Sequence, residues 1–384
     1  MNISNFKGTD MQLSGERIKV TYKIFGEEEE ALKMAKDICL EDTIGLPENL
    51  IPGNRISSQI KGTVDSLESP ESEVYYAVVS FAVEAAEGEL TQLLNVVFGN
   101  LSIKPGVQVV KIELPESLLS LYNGPRYGIS GLRKLLGIQK RPLLSADLKP
   151  IGLTSEELSK LAYELALNGI DIIRDDHALT DQTFAPFDER VSMCCEAVRK
   201  ANSITGFKSI YVPNITAPYD EIFLRAETAK KEGAGGLLIC PGLTGFDAMR
   251  CVTDDINIAL PIFSHPAFLG SFTVGPDGIS HSVIYGQIVR LAGADVTIFP
   301  NYDYSFSINE KDCREIVSSA KDPLGHIKNM MPNPIGSAGL ESLHENVNFY
   351  GNDVILQAGR DLYQNDIGEN CIRYRNTLLG IVRK

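Results

Sequence analysis

The stretch Gly169-Ile-Asp-Ile-Ile-Arg174-Asp175-Asp176-His177 constrains this chain more than any other. A short apolar strand there ends by presenting a guanidinium, two carboxylates and an imidazole at one point. Such density is costly unless the groups pair with each other or bind something. Upstream, the apolar run 142–148 ends at Lys149. A lysine and an acidic cluster on neighbouring strand ends suit proton transfer next to a carbonyl.

From Arg141 onward one unit recurs: a short apolar run, a polar or Gly/Pro break, then a helical pattern. The spacing predicts eight strands, at 142–148, 170–173, 209–212, 236–239, 261–263, 296–299, 330–334 and 354–357. After the first, Thr154-Ser-Glu-Glu157 reads as a capping box, Leu158, Leu161 and Leu165 share a face, and Gly169 stands where a helix C-cap belongs. Eight such units fit a (β/α)8 TIM barrel better than an open doubly wound sheet. No GxGxxG or GxxxxGK[ST] loop follows a strand, which argues against a dinucleotide or P-loop site. A barrel gathers the C-terminal ends of its strands at one mouth. Those ends carry Lys149, Arg174 to His177, Asn214, His265, Asn301, Ser337 and Gly359-Arg360, whereas the strand beginnings are mostly bland.

The N-terminal part reads differently. Strands are predicted at 17–25, 73–83 and 107–112 and helices at 28–38 and 89–97, with room for one more strand. That order indicates a small α+β, ferredoxin-like domain with an antiparallel sheet. The acidic segment 65–73 is expected to be an exposed loop. The segment around Asn123-Gly-Pro-Arg-Tyr-Gly128 is the expected linker, giving an N-terminal domain over 1–125 and a barrel over 126–384.

A net charge of −14 disfavours nucleic acid and anionic membrane as partners, since both attract basic surfaces. It leaves room for a small phosphorylated ligand, which needs only local donors. The seven cysteines are scattered without CxxC or Cys/His spacing, so reduced buried thiols are expected. The start lacks a basic region followed by an apolar run, and no segment reaches the ~18 apolar residues of a membrane span. The expected location is cytoplasmic.

The ordered segments Leu94-Asn-Val-Val-Phe-Gly-Asn100, Asn123-Gly-Pro-Arg-Tyr-Gly, Leu148-Lys-Pro, 169–177, 334–339 and Leu356-Gln-Ala-Gly359 resemble the large subunit of ribulose-bisphosphate carboxylase/oxygenase. The closer similarity is to its non-carboxylating, RuBisCO-like (form IV) relatives. The resemblance implies that Lys149 is the lysine handling protons in enolisation and that His265 is an active-site histidine. It also implies that Asp176 is a retained metal ligand, with His177 beside it.

The carboxylases carry Lys-Asp-Asp-Glu at the second strand, where a carbamylated lysine helps bind Mg²⁺. Here the text is Arg174-Asp175-Asp176-His177. A guanidinium forms no stable carbamate under mild conditions, and histidine is a softer ligand than Mg²⁺ prefers. Mg²⁺ bound through Asp176, His177, waters and substrate is one expectation. The other is Arg174 as a fixed cation for a developing enolate, or as a structural partner of Asp175 or Asp176.

Pro266 stands where the carboxylases place a phosphate-gripping arginine, and no flexible lysine loop follows the sixth strand. One phosphate site is thus stripped, while Ser337, Ala338, Gly339, Gly359 and Arg360 mark the other, with Asn214 as a further substrate contact. Glu41 matches a glutamate that the family inserts into the neighbouring subunit's site, which implies a homodimer. The expectation is an isomerase or lyase acting through the enolate of a monophosphorylated ketose or sugar acid, and not a CO₂-fixing carboxylase. The alternative is a phosphate-ester binding or regulatory homologue without turnover.

Overall fold

In a computed structural model of the chain, the described residues are 12–51, 56–302, 308–336 and 339–382. They group into two units: Met1–Tyr122 with Gly270–Gln287, and Asn123–Leu269 with Ile288–Lys384.

In the first unit, β1 (Arg17–Phe25), β2 (Thr63–Glu71), β3 (Val74–Ala82) and β4 (Val107–Glu113) form an antiparallel sheet with β1 paired to both β3 and β4. Alternate residues Ile18, Val20, Tyr22 and Ile24 of β1 are buried, as one face of a half-covered sheet requires. Helices Glu28–Glu41 and Leu90–Phe98 bury Ala31, Ala35, Ile38, Leu90, Leu93 and Val97. The Tyr22 hydroxyl donates to Val97 O at 2.7 Å, joining the sheet to the second helix.

The segment expected as an acidic loop is instead largely β2, an edge strand antiparallel to β3. None of its residues is fully buried, so it lacks the apolar alternation that marks a strand in sequence. Charged edges of this kind discourage pairing with other chains.

The second unit holds eight parallel strands: β5 (Leu143–Leu148), β6 (Ile172–Asp175), β7 (Ile210–Val212), β8 (Leu237–Ile239) and β9 (Ile262–Ser264) come first in the chain. The short β10 (Gly278–Ile279) follows in sequence but pairs with β4 of the first unit, and Ser280 N–H donates to Val109 O at 2.9 Å. Gly270–Gln287 therefore groups with the N-terminal sheet although it lies within the range expected for the barrel. The ring resumes with β11 (Val296–Pro300), β12 (Met331–Ile335) and β13 (Ile355–Gln357). β6 starts two residues later than the sequence predicts and includes Arg174 and Asp175, which pair in register with Asp147 and Leu148 of β5.

The strands form two four-stranded arcs, β13-β5-β6-β7 and β8-β9-β11-β12. One junction is bridged where Leu238 N–H donates to Pro213 O and Ile215 N–H donates to Leu238 O, both at 2.9 Å. The other junction, β12 to β13, has a cause written in the sequence Met331-Pro-Asn-Pro-Ile335. The N–H of Met331 donates to Asp295 O, and Ile335 O accepts from Asn301, so these odd residues face β11. By alternation Pro332 and Pro334 face β13, with no N–H to give. The Asn333 side chain spans this seam instead, donating to Ile355 O at 2.9 Å.

Inside the ring, Leu143, Ile172, Ile210, Val212, Leu238, Phe263, Val296, Ile298, Met331 and Ile355 pack as one apolar cluster. Ile129, Leu132 and Leu136 of helix Gly128–Leu136 join it from below the strand beginnings. That helix is anchored by Asp295, which precedes β11 and accepts from Tyr127 N–H at 2.6 Å, Gly128 N–H at 2.7 Å and Ile262 N–H at 3.0 Å. Gly128 has a φ of +63°, and a Cβ there would lie 2.9 Å from Asn329 O. Gly128→Ala should therefore cost about 1–3 kcal/mol of unfolding free energy in urea titration, from strain in the left-handed region. A loss near zero would show that the helix start relaxes freely.

Candidate active site

Side chains two residues apart on a strand point the same way. The inward register set by Leu143, Ile172, Ile210, Val212, Met331 and Ile355 therefore continues toward the strand ends. It passes through Ser145 and Asp147 on β5 with Lys149 just beyond it, Arg174 on β6 with Asp176 just beyond it, Asn214 after β7, Asn333 on β12 and Gln357 on β13. The barrel is apolar at its base and polar at its mouth.

Asp147 is the hub of that polar layer. Its Oδ1 accepts from Arg174 Nε at 2.6 Å, while its Oδ2 lies 3.2 Å from Lys149 Nζ and also accepts from the Gln357 amide. Arg174 is 2% exposed, and its Nη1 donates to Asn333 Oδ1 at 2.7 Å. Lys149 also lies 3.3 Å from Asp176 Oδ2, and 43% of its side chain remains exposed. Burial alone would raise the Asp147 carboxyl, but Arg174 and Lys149 overcome it and hold the group below the usual carboxylate range. Burial likewise pulls Lys149 down, and Asp147 and Asp176 more than restore it, so its amine stays protonated. The sequence reading missed Asp147, Asn333 and Gln357. Their signal was the inward period of two, since Asp147 precedes Lys149 by two residues and Gln357 precedes Gly359 by two.

The adjacent carboxylates of the second strand separate onto opposite faces. Asp175 points outward to the helix layer, where Arg190 Nη2 lies 3.2 Å from its Oδ2 and Tyr211 OH donates to its Oδ1 at 2.7 Å. Both side chains of the Asp175–Arg190 pair are fully buried. Arg174 therefore pairs with Asp147, not with either neighbour weighed from sequence. Asp176 points to the mouth, accepting from Ala178 N–H at 2.9 Å besides its contact with Lys149. Asn214 is spent on architecture: its amide donates to His177 O and Leu179 O at 2.9 and 2.8 Å, and its oxygen accepts from Thr216 N–H. It fixes the loop after β6 and has no group left for a ligand in this conformation.

His265 sits at the end of β9, 9% exposed, with its ring stacked on His177 at 4.7 Å. Burial, then the His177 ring and Arg174, push it well below the usual histidine range, so it is neutral at pH 7. Its Nδ1 accepts from Ala267 N–H at 3.2 Å, which assigns the ring proton to Nε2.

Among the loops read as a phosphate site, Ser337 and Ala338 lie outside the described residues. Gly339 and Gly359 are tied into a local web, since Leu340 N–H donates to Asp361 Oδ2 at 3.1 Å and Gly359 N–H to Tyr374 OH at 3.0 Å. Arg360 is exposed at the start of the turn Arg360–Tyr363. Glu41 belongs to the first unit, where it pairs with Lys104 at 2.7 Å.

The donor set does not suit a hard divalent cation. No group of three His, Cys, Asp or Glu side chains among the described residues is arranged to hold a metal. Asp176 and His177, the two ligands considered from sequence, face each other, Oδ1 to Nδ1, at 3.2 Å. An ion between Asp147 and Asp176 would meet the Lys149 ammonium. A double and a single positive charge ~4 Å apart repel by roughly 8 kcal/mol at an effective dielectric of ~20.

Residues 128–364 match the family model for the ribulose bisphosphate carboxylase large chain, catalytic domain. The chain belongs to that family. It is 33% identical to a Rubisco-like protein of Rhodopseudomonas palustris whose crystal structure superposes with a TM-score of 0.86 over 94% of this chain and 97% of that one. It is 30% identical to the 5-methylthioribulose-1-phosphate isomerase of Rhodospirillum rubrum, covering 91% of this chain and 92% of the relative. Identity to the 2,3-diketo-5-methylthiopentyl-1-phosphate enolase of Microcystis aeruginosa is 31%, over 88% and 86%. The chain is thus a RuBisCO-like member of the family. No helix among the described residues is long and apolar enough to cross a membrane.

Two outcomes follow from the geometry. Asp175→Ala should lower stability by about 3–5 kcal/mol by stranding buried Arg190, whereas Asp176→Ala, beside solvent, should cost far less. Equal losses in urea titration would contradict the opposite-face assignment. For His265, the folded-state pKa lies below the unfolded value near ~6.5. The unfolded chain therefore takes up a proton first as pH falls, and the stability advantage present above pH ~6.5 is lost toward acid. The stability gap between wild type and His265→Gln should be widest at pH 7 and narrow by pH 5; a constant gap contradicts a neutral, buried ring.

Proposed function

We propose that this protein is a non-carboxylating enzyme that enolises a monophosphorylated ketose or sugar acid, as an isomerase or lyase of the RuBisCO-like group. The observation that carries the reading is one buried carboxylate, Asp147, holding an ammonium on one oxygen and a guanidinium on the other at a barrel mouth. Loss of a proton next to a carbonyl puts charge on the carbonyl oxygen. Two cations fixed beforehand stabilise that charge without reorganising.

In the forward step the C–H bond breaks, its electron pair forms the new C=C bond as the carbonyl π pair moves onto the oxygen, and the Lys149–Asp176 pair handles the proton. Asp176 is the carboxylate acceptor 3.3 Å from the amine, and Lys149, held protonated, donates to the enediolate oxygen. Neutral His265 offers its Nε2 proton as a further hydrogen-bond donor. Arg360 and the loops after β12 and β13 are assigned to the single phosphate. The names of the relatives, an isomerase and an enolase of phosphorylated methylthio-pentose compounds, support this class of chemistry. Completion of the site by Glu41 from a second copy of the chain, in a homodimer, is part of the same reading.

The test is solvent deuterium exchange, followed by NMR, with 5-methylthioribulose 1-phosphate and with sugar-acid phosphates. Exchange should occur with at least one, and Lys149→Met should lower its rate about 10²–10⁴-fold while calorimetry shows binding little changed. Tight binding with no exchange, unaffected by Lys149→Met, would instead favour a phosphate-ester sensor.

A further inference from the structure

The carboxylates at the mouth are already satisfied by the chain's own cations and amides. Asp147 Oδ1 holds Arg174 and its Oδ2 holds Lys149 and Gln357; Asp176 Oδ2 faces Lys149 and its Oδ1 holds Ala178 N–H and faces His177. Two carboxylates against two fixed cations form a balanced set with no surplus negative charge to attract a metal ion.

Arg174 is more than a counter-ion in this set. Its Nε and Nη1 are committed to Asp147 and Asn333, which fixes the plane of the guanidinium. Its Nη2, with two N–H donors, has no acceptor among the described residues and keeps contact with solvent at the mouth, although the side chain as a whole is 98% buried. A fixed donor left without a protein acceptor and open to the mouth is available to an acceptor brought by a ligand. The planar fork suits the two oxygens of an enediolate or a carboxylate.

We propose that Arg174, locked by Asp147 and Asn333, supplies through Nη2 the positive charge that a divalent cation would otherwise bring, so that proton exchange runs without metal or CO₂. Asp147 and Asn333 are then positioning residues, and Arg174 is the group that touches the substrate oxygen. The inference rests on the enolisation reading.

The test uses the full-length protein stripped with EDTA. Deuterium exchange into 5-methylthioribulose 1-phosphate is compared in EDTA and in Mg²⁺, and Mn²⁺ binding is titrated by electron paramagnetic resonance. Exchange in EDTA should keep at least half its Mg²⁺ rate, and Mn²⁺ should stay free up to roughly 1 mM. Arg174→Ala should lose about 10²–10³-fold in exchange and recover with added guanidinium ion but not with Mg²⁺. Exchange that falls below half in EDTA and returns with Mg²⁺ overturns the proposal. So does stoichiometric Mn²⁺ binding abolished by Asp176→Asn, or rescue of Arg174→Ala by Mg²⁺. Absence of exchange in both conditions counts against the enolisation reading, and the Mn²⁺ titration then decides on the metal by itself.

Discussion

The site depends on one arrangement: a carboxylate buried inside the ring of strands with a cation on each oxygen. Alone, any of these groups would be costly to take out of water. Together, Asp147 makes it possible to bury Arg174 almost completely, and it keeps Lys149 charged despite its partial burial. The seam between β12 and β13 feeds the same cluster. Two prolines remove the ladder there, and the asparagine between them both bridges the gap and accepts from Arg174. The irregularity in the barrel wall thus lies where the cation is held.

The barrel was legible in sequence because each strand is apolar, short and separated from the next by helix signals such as the Thr154–Glu157 capping box, present with both reciprocal bonds. β2 was not, because an edge strand with no buried face carries no periodic signal. Nor was the pairing of β10 with β4, a two-residue contact between segments far apart in the chain.

The polar mouth was legible as a list of strand ends and less so as a set of contacts. Lys149, Asp176, His177 and His265 lie together at the mouth, as the sequence order suggested. Adjacent Asp175 and Asp176 look equivalent in the sequence, yet the pleat sends one to Arg190 in the helix layer and the other to Lys149. Asp147 escaped notice because it sits within a run of buried residues, where an acidic side chain reads as an exception until its partners, 27 and 210 positions away, are known. Asn214, read as a ligand contact, is consumed by the loop it anchors.

Membership of the carboxylase family and departure from carboxylation meet at one residue. Arg174 stands where the sequence resemblance would place the carboxylases' modified lysine, and a guanidinium already charged and already paired changes what the surrounding carboxylates are free to do. A crystal structure with phosphoglycolohydroxamate, a planar phosphorylated mimic of an enediolate, tests this most directly. The account predicts the hydroxamate oxygens within hydrogen-bond distance of Lys149 Nζ and Arg174 Nη2, with the phosphate toward Arg360. A hydroxamate chelating a metal ion, or one bound with Arg174 still sealed behind Asp147 and out of reach, would contradict it.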